Sequence, residues 1–203
     1  PVGGPGLVFA GILRSGAIPA VRLTGIFRQA ECSRIVRCAH EINRGEHPDV
    51  RKNSGDLCLL NRTDTARAAE TIVELCAERL PKRMGIAPEE IQVLTPTRKG
   101  ELGSVQLNRR LQAALNPTAK GKNEKIFGEV TFREGDRGMQ IRNNYDIIWH
   151  REQGEGREPE AGSGIYNGAI GYLLGIDAEN ETLTVDFEGR VAALGFAQVK
   201  QLA

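Results

Sequence analysis

The segment Leu23-Thr24-Gly25-Ile26-Phe27-Arg28-Gln29-Ala30 sets an arginine where a short apolar stretch, Val21-Arg22-Leu23, gives way to a helical pattern. Ile35, Val36, Ala39 and Ile42 recur at helical spacing, and Gly45 stands where a C-cap is expected. In an α/β sheet, the loops at the carboxyl ends of the strands form the ligand crevice. A guanidinium placed there can reach a phosphate on a neighbouring domain and stabilise charge that develops during hydrolysis. The same side chain can pair with a surface carboxylate, since arginine is common at exposed positions. The stretch alone does not decide between these roles.

A second group of reactive types lies at Thr95, Pro96, Thr97, Arg98, Lys99 and Gly100, continuing to Gly103. Hydroxyls, backbone amides, two cations and a helix N-terminus can all bind phosphates. Against this, Pro96 and Gly100 can simply shape a loop whose cations are solvated. Asn108, early in the following helix, can contact a strand or cap locally. A third group is Arg137, Arg142, Asn143, Asn144 and Tyr145, with Trp149 beyond. Cations interleaved with aromatics suit backbone attraction plus base stacking. The opposing reading makes Asn143-Asn144 a hairpin turn and Trp149 a core residue.

These groups need elements to hold them. Leu7 to Ser15 reads as a helix ended by Gly16. Leu57-Cys58-Leu59-Leu60 and Ile91 to Thr95 read as short buried strands. Asp64 is placed to cap a helix whose core face is Ala68, Ile72, Val73, Leu75, Cys76 and Leu80. Gly103 to Leu115 is a further helix, with Val105, Leu107, Leu111 and Leu115 inward. Strands alternating with helices of this length predict an α/β parallel sheet covered by helices. From Lys125 onward the helical period is lost. Turn signals at Gly135-Asp136, Ala178-Glu179-Asn180 and Glu188-Gly189 separate short strands. Thr182 to Phe187 alternates, with Leu183, Val185 and Phe187 on one face. A small β-barrel follows, with Arg151 to Gly164 as a polar, mobile loop.

Composition limits the alternatives. The 203 residues suffice for one large domain or two small ones. A hydrophobic share of 40% with 26% charged residues suits a soluble globular protein, and no apolar run approaches a membrane span. The net charge of +1 gives no general pull toward nucleic acid, so local clusters must carry that case. Cys32, Cys38, Cys58 and Cys76 form no C-x-x-C pair, which leaves a zinc site without support. With no secretory signal, free thiols fit a reducing cytoplasm. No G-x-x-x-x-G-K-[ST] phosphate cradle occurs. The nearest string ends Gly121-Lys122-Asn123, lacks the magnesium-binding hydroxyl and follows a helix. ATP hydrolysis by this stretch alone is therefore not expected.

Five segments occur in the order found in the RecD-like branch of superfamily 1 DNA helicases, and together they resemble that family. They are Leu23 to Ala30; Val93 to Gly103; Leu107-Asn108-Arg109-Arg110-Leu111-Gln112 with Asn116-Pro117; Phe132 to Arg137 with Met139 to Asp146; and Tyr166-Asn167-Gly168-Ala169-Ile170-Gly171. The resemblance, to helicases of the exodeoxyribonuclease V alpha-subunit kind, covers most of the chain. It implies a partial second RecA-like motor domain over 1–118 and 196–203. Residues 119–195 would be an inserted, DNA-binding barrel resembling a Src-homology-3 fold. It implies a fragment of an ATP-dependent 5′-to-3′ helicase, whose ATP and Mg2+ are held mainly by a first motor domain on the same polypeptide. Arg28 would be the arginine finger, with Gln29 orienting it. Thr95 to Gly100, Asn108 and Arg142 to Asn144 would face single-stranded DNA.

Two departures stand out. Gly138 replaces a commonly apolar residue, and Ile147 to Ile165 is longer than the usual link. A conjugative relaxase motor and a stand-alone nucleic-acid-binding module are the alternative readings.

Overall fold

The computed structural model describes residues 5–21, 33–51, 55–153 and 159–202. Contacts divide the chain into two units, Pro1–Asn61 and Arg62–Ala203. Among the described residues the first holds two helices. α1 (Pro5–Ser15) leaves Leu7, Val8 and Phe9 exposed. α2 (Arg34–Asn43) starts at Ser33, whose Oγ accepts from the Val36 amide at 3.3 Å. The Asp56 carboxylate closes this cap, accepting from the Ser33 hydroxyl and from the Arg34 amide at 2.9 Å. The hydroxyl bond holds the Asp56 carboxyl below its ordinary pKa. Arg28 and Gln29 lie outside the described residues.

The second unit begins with a helix capped as expected, Asp64 Oδ1 accepting from the Arg67 amide at 2.8 Å. α3 (Thr65–Glu74) runs through one π-helical stretch, Leu75–Arg79, into α4 (Leu80–Met84), and Gly85 ends it with φ +66°. Ala69 and Cys76 are its buried residues, and desolvation raises the Cys76 thiol pKa. α5 (Ser104–Leu115) packs against α3 and buries Leu107, which is 2% exposed. Leu115, expected inward, is exposed.

Eight strands follow: β1 (Glu124–Phe127), β2 (Val130–Arg133), β3 (Arg137–Met139), β4 (Asn144–Arg151), β5 (Glu160–Ile165), β6 (Ile170–Asp177), β7 (Thr182–Phe187) and β8 (Arg190–Gly195). β1 and β2 form a hairpin. The other six form one sheet in the order β3-β6-β7-β8-β4-β5, and every pairing is antiparallel. A 3-10 turn, Phe196–Gln201, closes one end, and Leu202 bridges to Gln140. The core is centred on Leu183, Phe187 and Leu194, each 0% exposed. The alternation of Leu183, Val185 and Phe187 puts these side chains inside, as the sequence predicts. Gly171 on β6 makes that core possible. A Cβ there would sit 2.6 Å from Val185 Cγ1 and 2.8 Å from a Phe187 ring carbon.

Several expectations are corrected. The parallel sheet over 1–118 is not formed among the described residues, since both sheets are antiparallel and lie beyond Asn123. The apolar runs at Leu57 to Leu60 and Ile91 to Thr95 predict strands, yet Cys58–Leu60 and Ile91–Thr95 carry none. A parallel strand is made only by ladder bonds to a neighbour, and among the described residues no strand pairs with these runs. Leu94 is accordingly 87% exposed. Asn143-Asn144 is not a hairpin turn either: β3 pairs with β6, while β4 pairs with β5 and β8. Finally, Arg151 to Gly164 is not all loop, because Glu160–Ile165 is the strand that pairs with β4.

Candidate nucleic-acid interface

The loop from Thr95 to Gly103 is folded back over the start of α5 by its own polar atoms. Thr95 Oγ1 donates to the Leu102 carbonyl at 2.6 Å. The Ser104 and Val105 amides donate to the Thr97 and Arg98 carbonyls at 3.0 and 3.3 Å. These are among the N–H groups that a helix leaves without an internal partner. Part of the helix N-terminus expected to receive a phosphate is thus satisfied by the loop itself. Gly103 is required where the chain doubles back, because a Cβ there would lie 2.5 Å from the Lys99 carbonyl oxygen. Gly100 turns the loop with φ +87° and open space around it.

The cations are left over. Thr97, Arg98, Lys99 and Gly100 are exposed, with Pro96 beside them. Neither the Arg98 guanidinium nor the Lys99 ammonium has a hydrogen-bond or ion-pair partner among the described residues. Asn108 is exposed one turn along α5. Arg110 on that helix is engaged, 2.5 Å from Glu101.

α5 is stitched to the barrel at its other end. Gln112 Nε2 donates to the Thr131 carbonyl at 2.8 Å and to Asp136 Oδ2 at 2.6 Å. Asn116 Nδ2 donates to Asp136 Oδ1 at 2.8 Å and to the Glu134 carbonyl at 3.0 Å. The Arg133 amide is the third donor to Asp136, at 2.7 Å. The Arg133 side chain, 10% exposed, pairs with Glu124 at 2.9 Å and donates to the Asn116 carbonyl at 2.5 Å. Nearby, Glu134 accepts from the Asn123 amide and side chain and from the Ile176 amide at 3.3 Å. These bonds, led by the Asn123 amide, hold the Glu134 carboxyl below its ordinary pKa.

Of the barrel residues, Arg142 and Asn143 lie on the crossover between β3 and β4, and Asn144 opens β4. Asn144 Nδ2 donates to Gln201 Oε1 at 3.0 Å, and its own Oδ1 accepts from the Asp146 amide at 3.0 Å. Asn143 Oδ1 accepts from the Asn167 amide at 2.9 Å. Gln140, 0% exposed, donates from Nε2 to the Arg142 carbonyl at 2.9 Å and to Gln201 Oε1 at 3.1 Å. Both asparagines therefore build the crossover. Arg142 is exposed and its guanidinium has no partner among the described residues. Gln140 and Gln201 escape a reading of the sequence, since they meet across 61 positions with no local pattern. Trp149 packs against the core and its ring covers Gly162, where a Cβ would lie 2.3 Å from Cζ2. Arg137, also in the third group, donates to the Ile91 carbonyl at 3.1 Å.

An antiparallel barrel is thus fixed to a helix that carries, on the loop before it, two cations without a partner among the described residues, an arrangement of the SH3-like class. Residues 107–187 match the family described as the ATP-dependent RecD-like DNA helicase SH3 domain. The match begins inside α5 and ends with β7, so the stitched end of the helix and strands β1 to β7 fall within it together. This match, with the relative that follows, supports a RecD-like helicase fragment. It is 33% identical over 186 residues to the ATP-dependent RecD2 DNA helicase of Deinococcus radiodurans, an alignment covering 92% of this chain. The chain spans 22% of that relative's length. No described helix is long and apolar enough to cross a membrane.

Proposed function

We propose that this chain is part of an ATP-dependent DNA helicase that moves 5′ to 3′ on single-stranded DNA. Residues 1–118 belong, in this reading, to the second RecA-like motor domain, and 119–202 to the inserted barrel, since Val199 and Leu202 pack in the barrel core. The observation that carries the reading is the pair of exposed cations Arg98 and Lys99, without a partner among the described residues, on a loop seated on α5. Free cations on a fixed loop suit a phosphate backbone, which offers charge at every nucleotide. Thr95, Pro96, Thr97, Gly100 and Asn108 shape this track, and Arg142, Asn143 and Asn144 extend it onto the barrel. The similarity to the ATP-dependent RecD2 DNA helicase supports the motor assignment.

ATP and Mg2+ are held mainly by the first motor domain, and Arg28 reaches across to the γ-phosphate with Gln29 orienting it. Without the phosphate cradle the 203 residues hydrolyse no ATP alone. The test is Arg28→Ala in the full-length protein. DNA-stimulated ATP turnover falls by about three to five powers of ten, while binding of a single-stranded oligomer stays within twofold. Retained turnover removes Arg28 from the site.

A further inference from the structure

Beside the crossover, two tyrosines stand in solvent against each other. Tyr145 on β4 is 64% exposed and Tyr166, just after β5, is 49% exposed. Their ring centroids are 5.8 Å apart with planes at 71°. An edge-to-face pair leaves ring surface uncovered, because only one face is occupied by the partner's edge. Neither residue belongs to the barrel core. Asn143 ties together the two segments that bear the rings. Its Oδ1 accepts from the Asn167 amide at 2.9 Å, and its Nδ2 lies 3.5 Å from the Tyr145 hydroxyl. Gly164 makes room for the second ring: a Cβ there would lie 3.1 Å from the Tyr166 hydroxyl oxygen. The exposed, unpaired Arg142 guanidinium is carried on the same crossover, whose carbonyl is held by Gln140.

We propose that Tyr145 and Tyr166 form a stacking platform for unpaired bases, with Asn143 as the residue that positions it. This rests on the reading of the barrel as facing single-stranded DNA and specifies how that face holds the strand. Three features favour bases over a protein partner. The rings are polar-tipped and offer open faces. A free guanidinium, suited to the phosphate between stacked bases, accompanies them. The platform sits on a crossover fixed by side-chain amides, which keeps the ring positions without occupying their surfaces. Base stacking on aromatic side chains tolerates every base, because each has a π-face. The platform therefore grips the strand without reading its sequence.

The experiment uses the full-length protein with two oligomers of equal length, one of thymidine and one abasic. Tyr145→Ala and Tyr166→Ala each weaken binding of the thymidine oligomer about fivefold or more. They leave abasic binding and the salt slope unchanged, and Tyr145→Phe and Tyr166→Phe retain affinity. In the unmutated protein, the thymidine oligomer protects both tyrosines from nitration by tetranitromethane, and the abasic one does not. Equal thymidine affinity in the alanine variants assigns the pair to a protein contact and overturns the proposal. Equal losses on both oligomers reduce the rings to a structural role and also overturn it. Nitration unaffected by thymidine oligomer does the same even where a variant fails to fold. If the unmutated protein binds neither oligomer, the strand-facing reading itself falls.

Discussion

The loop at Thr95–Gly103 and the crossover at Gln140–Tyr145 solve the same problem with different residues. In the loop, a hydroxyl and main-chain carbonyls hold the chain against α5, and two cations remain free. In the crossover, four side-chain amides do the holding, and an arginine and two aromatic rings remain free. In both regions the uncharged polar residues are consumed by the architecture. What is left to meet a ligand differs: point charge in one, π-surface beside a single charge in the other. On the proposed reading, the loop is the salt-sensitive contact and the crossover is the one that survives salt.

The severest way to break this comparison is at Gly103. Gly103→Ala forces a Cβ against main-chain atoms that cannot swing aside. It costs about 1–3 kcal/mol by overpacking, lowering the thermal midpoint, and it weakens DNA binding by misplacing the cations. An unchanged midpoint refutes the seat described for the loop.

Removing the charges alone sharpens the contrast. Arg98→Ala with Lys99→Ala reduces the slope of log affinity against log salt by about 1.4, at roughly 0.7 per phosphate contact on a single strand. The midpoint does not move, since neither side chain has a structural partner among the described residues. Salt titrations that superimpose on the unmutated protein exclude the loop from the track.

The smallest effect concerns acid. Glu134 carries a carboxyl pKa lowered by hydrogen bonds from Asn123 and Ile176. Its contribution is present above the ordinary carboxylate pKa and is lost as pH falls through the lower folded value. Glu134→Gln therefore destabilises the barrel at neutral pH and makes the acid-side loss shallower. Melting curves from about pH 7 down to about pH 3 that run parallel for both proteins contradict this.

Periodicity locates the barrel strand Thr182–Phe187, the helix Ser104–Leu115 and the Asp64 cap, because these are short-range patterns written in consecutive residues. Ile91–Thr95 fails as a strand for a physical reason: an apolar run supplies buried surface, but only a neighbour supplies the ladder. At Asn143 the residue type signals a turn, yet its side chain accepts an amide from Asn167, 24 positions away. Trp149, Gln140 and Gln201 likewise owe their roles to partners distant in the chain. For the loop, the sequence identifies the free cations, whereas the internal use of the α5 amides requires the fold.

The joint at Asp136 has a mechanical consequence. Its carboxylate receives bonds from α5, from the residue after α5 and from the barrel backbone, and Arg133 adds a buried clasp. The 12 residues of α5 span about 18 Å. The Thr95–Gly103 loop and the barrel are thus two ends of one stiff arm. On the proposed reading, a tug on the strand at either end is transmitted as torque rather than absorbed as slack.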